Sequence, residues 1–170
     1  MSDITTAILD EHAWFRAAFA QLDEIEDTDE LETYWNLIAG RLEVHAQAEE
    51  TVFYPVLLKQ GDDPKDETDD AIGDHNEIRE AAHRAAGLEV GSDDWWEAVR
   101  AARDENSDHM GEEERDALSD FRRNSTPEQR HEMGRRFALF MAERTTIDVS
   151  DDYDGPDKDA FIAKHSPDDA

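Results

Sequence analysis

Apolar residues recur every three to four positions through residues 3–146, and each of the four longest stripes is broken by histidine or glutamate where the period demands an apolar side chain. The first stripe, over residues 3–26, runs Ile8, His12, Phe15, Phe19 and Leu22. The second begins with Thr28 as its expected N-cap and ends before Gly61. It carries Leu31, Trp35, Ile38, Leu42, His45, Glu49, Val52 and Val56, and Pro55 inside it is expected to kink or shorten the helix. A third, over 67–87, runs Ala71, Ile72, His75, Ile78 and Ala82. The fourth and weakest, over 93–123 after the N-cap Ser92, has Trp95, Val99, Ala102, Asn106, His109, Glu113 and Ala117. Thr126-Pro127-Glu128-Gln129 combines a capping box with proline at the first helical position, so a fifth helix is predicted from there to about residue 146. Short connections force neighbouring helices to run antiparallel. The predicted fold is therefore all-α: an antiparallel up-down-up-down four-helix bundle with an extra C-terminal helix over residues 1–146. An acidic, flexible tail follows over 147–170, with at most a short helical turn near 159–164.

Charge narrows the possible partners. With 17 Lys and Arg against 45 Asp and Glu, the formal charge is −28. Such a chain repels the nucleic-acid backbone and anionic membranes, so neither is expected as a partner. No apolar run approaches membrane-spanning length, and the opening residues lack the basic and apolar regions of a secretory signal, so a cytoplasmic protein is expected. The density of carboxylates suggests a halophilic source, where molar salt screens their repulsion. Cysteine is absent, so any metal must be held by His, Asp and Glu.

The six intruders, His12, His45, Glu49, His75, His109 and Glu113, meet that requirement. An ionised carboxylate in an apolar core costs several kcal/mol, a penalty that a cation between two of them removes. His45 with Glu49 and His109 with Glu113 are both i, i+4 pairs, each on one helix face. The pattern also repeats: His12 and His75 are 63 residues apart, while His45–His109 and Glu49–Glu113 are each separated by 64. Around the first histidines, Glu11-His12-Ala13-Trp14-Phe15-Arg16 parallels Asp74-His75-Asn76-Glu77-Ile78-Arg79. Two such hairpins would bring the ligands to one level of the bundle. Four histidines and two bridging glutamates suit two octahedral ions with open positions left over. The donor set fits iron, manganese or zinc better than calcium or magnesium.

At these residues the chain resembles the hemerythrin-like, or HHE cation-binding, family. The resemblance covers most of residues 3–146 and rests on His12, His45-x-x-x-Glu49 with Glu50 and Pro55, Asp74-His75, and His109-x-x-x-Glu113-Glu114. It implies ligation of two iron ions, oxo- or hydroxo-bridged, by the six residues, and binding of a small ligand between them: dioxygen, peroxide or nitric oxide. The oxygen carriers of the family have a second histidine one turn after the third-helix ligand, where this chain has Arg79. That favours sensing, peroxide or nitric oxide chemistry, or iron handling over reversible carriage. The carriers also place a carboxylate five residues after the last histidine, which would select Glu114; the local repeat selects Glu113. A ferritin-like site needs Glu-x-x-His, but Leu9, Leu42, Ile72 and Asn106 precede the four histidines. Tyr54 and Glu50 are candidate outer partners and His83 a candidate fifth nitrogen ligand, whereas His131 and His165 are read as surface residues. The alternatives are an iron buffer or iron-responsive interaction module without catalysis, and a metal-free bundle with a polar core.

Overall fold

The computed structural model describes residues 2–62, 64–144 and 155–167. Its helices are α1 (Ile4–Leu22), α2 (Thr28–Ala48), α3 (Tyr54–Gln60), α4 (Pro64–Ala86), α5 (Asp93–Arg115), α6 (Ala117–Asn124), α7 (Pro127–Glu143) and α8 (Lys158–His165), with a π-helical turn, Glu49–Phe53, between α2 and α3. There is no strand among the described residues. Side-chain caps start the helices: Asp3 accepts from the Thr6 N–H, Ser92 from Trp95 and Thr126 from Gln129. At α2 the cap is Asp27, which accepts from the Glu30 N–H, so Thr28 is the first helical residue rather than the cap. α1 stops at Leu22, short of the expected residue 26, where Arg103 donates to the Phe19 carbonyl, beside its bond from the Asp23 N–H, and to the Asp23 carboxylate.

Up-down-up-down packing follows from the order in which the helices cross the core. The apolar interior forms two clusters separated by the histidine and glutamate layer. One holds Phe15, Phe19, Leu31, Trp35, Ile38, Ile78, Trp95 and Val99; the other holds Ile4, Ile8, Val52, Phe53, Leu57, Ile72, Leu118 and Phe121. Along the sequence α1 passes from the second cluster to the first, α2 returns, α4 goes up again and α5 with α6 comes back. Four chain segments crossing one polar layer in alternating directions place each ligand at the same height. α7 lies across α1 and α2 and contributes Met133 and Phe137 to the second cluster.

Two interruptions break the second and fourth stripes, the first where Pro55 is expected to disturb the helix and the second within a helix expected to be continuous. Pro55 has no N–H and in a regular α-helix would clash with the Thr51 carbonyl. The chain resolves this with the wider π turn, in which the Tyr54 N–H reaches back to the Glu49 carbonyl, and Pro55 then falls in the first turn of α3. In the fourth stripe, Asp116 is distorted to φ −107° and ψ −74°, at the edge of the helical region, so α5 ends at Arg115 and α6 begins at Ala117. Within the stretch read as an acidic tail, the short helix expected near 159–164 is α8. It docks on α3 and α4 through buried Phe161 and a 2.8 Å Lys158–Asp69 ion pair. The expected end of the fifth helix at 146 and the remainder of the tail, residues 147–154 and 168–170, lie outside the described residues. No described helix is long and apolar enough to cross a membrane.

Candidate metal centre

Each element delivers its ligand candidates to the layer between the clusters: α1 gives His12, α2 His45, the π turn Glu49, α4 His75, and α5 His109 with Glu113. All six are buried, none more than 4 % exposed. Glu49 occupies the middle. Its Oε1 lies 2.9 Å from His45 Nε2, and its Oε2 lies 3.2 Å from His75 Nε2 and 3.8 Å from His109 Nε2. His75 and His109 face each other through Nε2 atoms 3.1 Å apart. Two triads result, His12–His45–Glu49 and Glu49–His75–His109, in each of which one donor atom per residue lies within 4.8 Å of the others. Glu113 stands beside the first triad, its Oε2 3.3 Å from His12 Nε2, while its Oε1 accepts a 2.8 Å hydrogen bond from the Tyr54 hydroxyl. The two glutamates, equivalent in the sequence repeat, are therefore not equivalent in space.

Whether these residues suit a metal is decided by what their polar atoms lack. His12 Nε2, His45 Nε2, both Glu49 oxygens and Glu113 Oε2 are buried and make no hydrogen bond. Buried polar atoms in a native core are almost always satisfied, so a convergent set of unsatisfied nitrogen and carboxylate donors is the signature of ligands.

Residues 3–119 match the hemerythrin HHE cation binding domain family. The chain belongs to this family. None of the curated proteins and none of the solved structures matches it. The cation-binding description of this family agrees with the donor chemistry of the buried layer.

Around the inner donors of this HHE domain runs a ring of carboxylates that fixes the imidazoles. His12 Nδ1 is 2.9 Å from Glu114, which Arg16 also holds at 2.8 Å. His75 Nδ1 is 3.0 Å from Glu50, which Arg79 holds while also donating to Glu43. His109 Nδ1 lies 3.4 Å from Asp74. A carboxylate on Nδ1 puts the proton there and turns the Nε2 lone pair inward, the arrangement a ligating histidine needs. Burial disfavours the charged ring of His109, yet Asp74, Glu49 and Glu113 overcome it and push its pKa up to about 10. His12 and His75 move the same way against burial, through Glu113 and through Glu49 and Glu50 respectively. Burial raises Glu49, but His45, His109 and His75 hold it well below the usual carboxylate range. Tyr54 is pushed well above its ordinary value by burial and then by Glu113, so it remains a neutral donor.

Of the outer candidates, Tyr54 and Glu50 touch the centre, as does Glu114 through His12. His83 and His131 are exposed, with His131 turned to the Pro127 carbonyl, and His165 stacks on Phe161. Sequence reasoning did not single out Asp74, Glu114 and Arg16 as a ring around the histidines. The signal was present: Arg16–Arg79 and Glu50–Glu114 recur at the same 63- and 64-residue offsets as the ligands. A small cavity, about 20 Å³, adjoins the centre and is lined by His45, His75 and His109 with Leu42, Ile78 and Ala82.

Proposed function

We propose that this HHE domain holds two iron ions and binds a small ligand beside them, dioxygen, peroxide or nitric oxide, as a sensor, scavenger or store. The observation that carries the reading is the pair of triads sharing Glu49, whose two oxygens face opposite histidine pairs and have no hydrogen bond of their own. His12 and His45 would hold one ion and His75 and His109 the other, with Glu49 between and Glu113 completing the first. Iron there would supply one-electron redox chemistry and open positions for the ligand. The chain's own residues do the rest. Glu114, Glu50 and Asp74 hold the protons of His12, His75 and His109 on Nδ1, and Tyr54 keeps its proton on the hydroxyl aimed at Glu113. Leu42, Ile78 and Ala82 share the adjoining cavity with Asn106, Arg79 and the histidines, and it has room for about one water molecule, which fits a diatomic guest.

The test is metal analysis with an optical spectrum on protein purified in high salt and exposed to air. About two irons per chain and near-ultraviolet charge-transfer absorption that changes on reduction or on adding peroxide or nitric oxide support the reading. Bound iron whose spectrum ignores all of these ligands moves it to the iron buffer. Stoichiometric zinc, or no metal after anaerobic reconstitution, overturns it.

A further inference from the structure

The centre can be approached across several faces of the bundle, and these faces differ in charge. Beside α1 and α5, Arg16 covers Glu114 behind His12; between α2 and α4, the almost buried Arg79 lies between Glu43 and Glu50 behind His75. Arg41, paired with Glu11, marks the face between α1 and α2, which α7 also crosses. Each of these approaches presents a guanidinium to an incoming cation. The remaining face, between α4 and α5, opens into a groove of about 310 Å³ with no Lys or Arg in its lining. Asp66 and Asp70 from α4 and Glu112 and Asp116 stand exposed at its rim, Asp74 is half-buried further in, and His109 and Glu113 form its inner end.

Acidic side chains alone would mean little on a chain of this charge. Here they lead to a buried carboxylate oxygen, Glu113 Oε2, that has no hydrogen bond, and to a ring, His109, of the second triad. The helical spacing accounts for the line-up: Asp66, Asp70 and Asp74 are one turn apart on α4, and His109 and Glu113 follow one turn apart on the facing side of α5, with Asp116 just past its end. Small residues, Ala71 and Ala117, keep the floor open. Further along α5, burial together with Glu77, Asp74 and Asp108 raises the carboxyl of Glu105 above its ordinary value. Of the cations nearby, Arg115 is paired with Asp116 at 2.9 Å and Lys158 with Asp69 at 2.8 Å.

We propose that the acidic groove between α4 and α5 is the uptake route by which a divalent cation reaches the buried centre, captured at the Asp66, Asp70 and Glu112 rim and handed by Asp74 to Glu113 and His109. The inference rests on the metal-binding reading above and adds the path. Clefts lined by one sign of charge raise association rates about 10- to 1,000-fold, with a strong dependence on ionic strength.

The experiment follows cobalt(II) uptake by the chelator-stripped full chain in a stopped-flow spectrometer, at the lowest KCl concentration that keeps it folded and again in high salt. The triple variant Asp66→Asn, Asp70→Asn, Glu112→Gln alters no residue of the centre. It is compared with Glu26→Gln, Glu32→Gln, Glu97→Gln, which removes the same charge from exposed positions elsewhere. The route predicts loading at least about 10-fold slower in the groove variant, an unchanged final cobalt stoichiometry, wild-type loading in the control, and a difference that shrinks with salt. Equal rates in groove and control variants overturn the route and leave the metal centre standing. A lower stoichiometry in the groove variant also overturns it, since the rim would then ligate rather than conduct. Wild-type protein that takes up no cobalt, iron or manganese overturns the metal centre, and the route with it.

Discussion

Stripping the metal should turn the centre into a base-labile element. The His109 ring rises from its ordinary 6.5 to about 10 in the fold, so below pH 6.5 it is protonated whether the chain is folded or not, and its full contribution to stability is present. As pH climbs above 6.5 the unfolded chain releases the proton while the folded chain keeps it, and the contribution is gone once pH passes about 10. At ~1.4 kcal/mol for each pH unit between the two values, this one ring should cost about 3 kcal/mol of stability between pH 6.5 and 9. That window stops short of ordinary lysine and tyrosine titration. His12 and His75 add to the same slope. The acids Glu49, Glu50 and Glu114, all held low, act oppositely: their contribution is present above the ordinary glutamate value of 4.5 and is lost as pH falls below it. Urea denaturation of chelator-treated protein, followed by helical circular dichroism at fixed KCl, should show greatest stability near pH 5–6.5 and a decline toward pH 9. In the loaded protein the ligating rings are neutral and metal competes with protons, so the decline should vanish and affinity should rise over the same range. Stability of the stripped chain that is flat or increasing from pH 6.5 to 9 would refute the placement of His109 among Asp74, Glu49 and Glu113.

Further outcomes follow from single contacts. Glu114→Gln should keep the fold and weaken metal affinity about 10- to 100-fold by loosening His12, whereas His131→Ala, at an exposed position, should leave metal content unchanged by mass spectrometry. Tyr54→Phe should cost about 1–3 kcal/mol in denaturation by leaving the buried Glu113 Oε1 without its donor. At Gly134→Ala the new methyl would overlap the Ser2 carbonyl and lie 2.8 and 2.9 Å from Asp3 C and Ile4 N, all backbone that cannot swing aside; α7 must lift from α1, for about 1–3 kcal/mol in melting. With a formal charge of −28, the melting temperature should rise with added KCl, and a curve that ignores salt would remove the halophilic reading.

The bundle and its buried donors were legible because both are periodic. A ligand that interrupts an apolar stripe identifies itself by its position alone, and His12, His45, Glu49, His75, His109 and Glu113 all do so. What was not legible depends on how helices meet. Pro55 announced a disturbance, but only the packed chain places the extra residue of the π turn ahead of it, where it keeps both Glu49 and Glu50 buried, the first turned to the triads and the second to His75 Nδ1. The same holds for adjacent Glu113 and Glu114, which diverge to the two nitrogens of one ring, His12. Residues next to each other in sequence point about 100° apart on a helix, and which direction is interior depends on the neighbouring helix. The break at Asp116 and the docking of α8, though not its helical turn, were obscured for a similar reason: a break without proline or glycine and a contact made through one buried aromatic leave almost no periodic trace.

The repeat explains what the two halves share, and its failures explain why a fifth long helix is needed. Arg16–Glu114–His12 and Arg79–Glu50–His75 are the same chain of contacts made twice, each crossing from one hairpin to the other. The other two histidines differ. His109 has Asp74 at its Nδ1, but the counterpart of Asp74 in the first half is Glu11, which is taken by Arg41 in a two-pronged contact at 2.7 Å. His45 Nδ1 thus has no hydrogen bond, and no carboxylate aims the ring from that side. Its ring is instead held edge-on between Phe15 of α1 and Phe137 of α7, with centroids 5.3 and 5.9 Å away. Aromatic packing restricts the ring without charging it. α7 therefore does more than cover one face of the bundle: Phe137 supplies by shape the orientation that Asp74 supplies to His109 by charge, and Gly134 one turn earlier lets α7 approach the start of α1 closely enough to put it there.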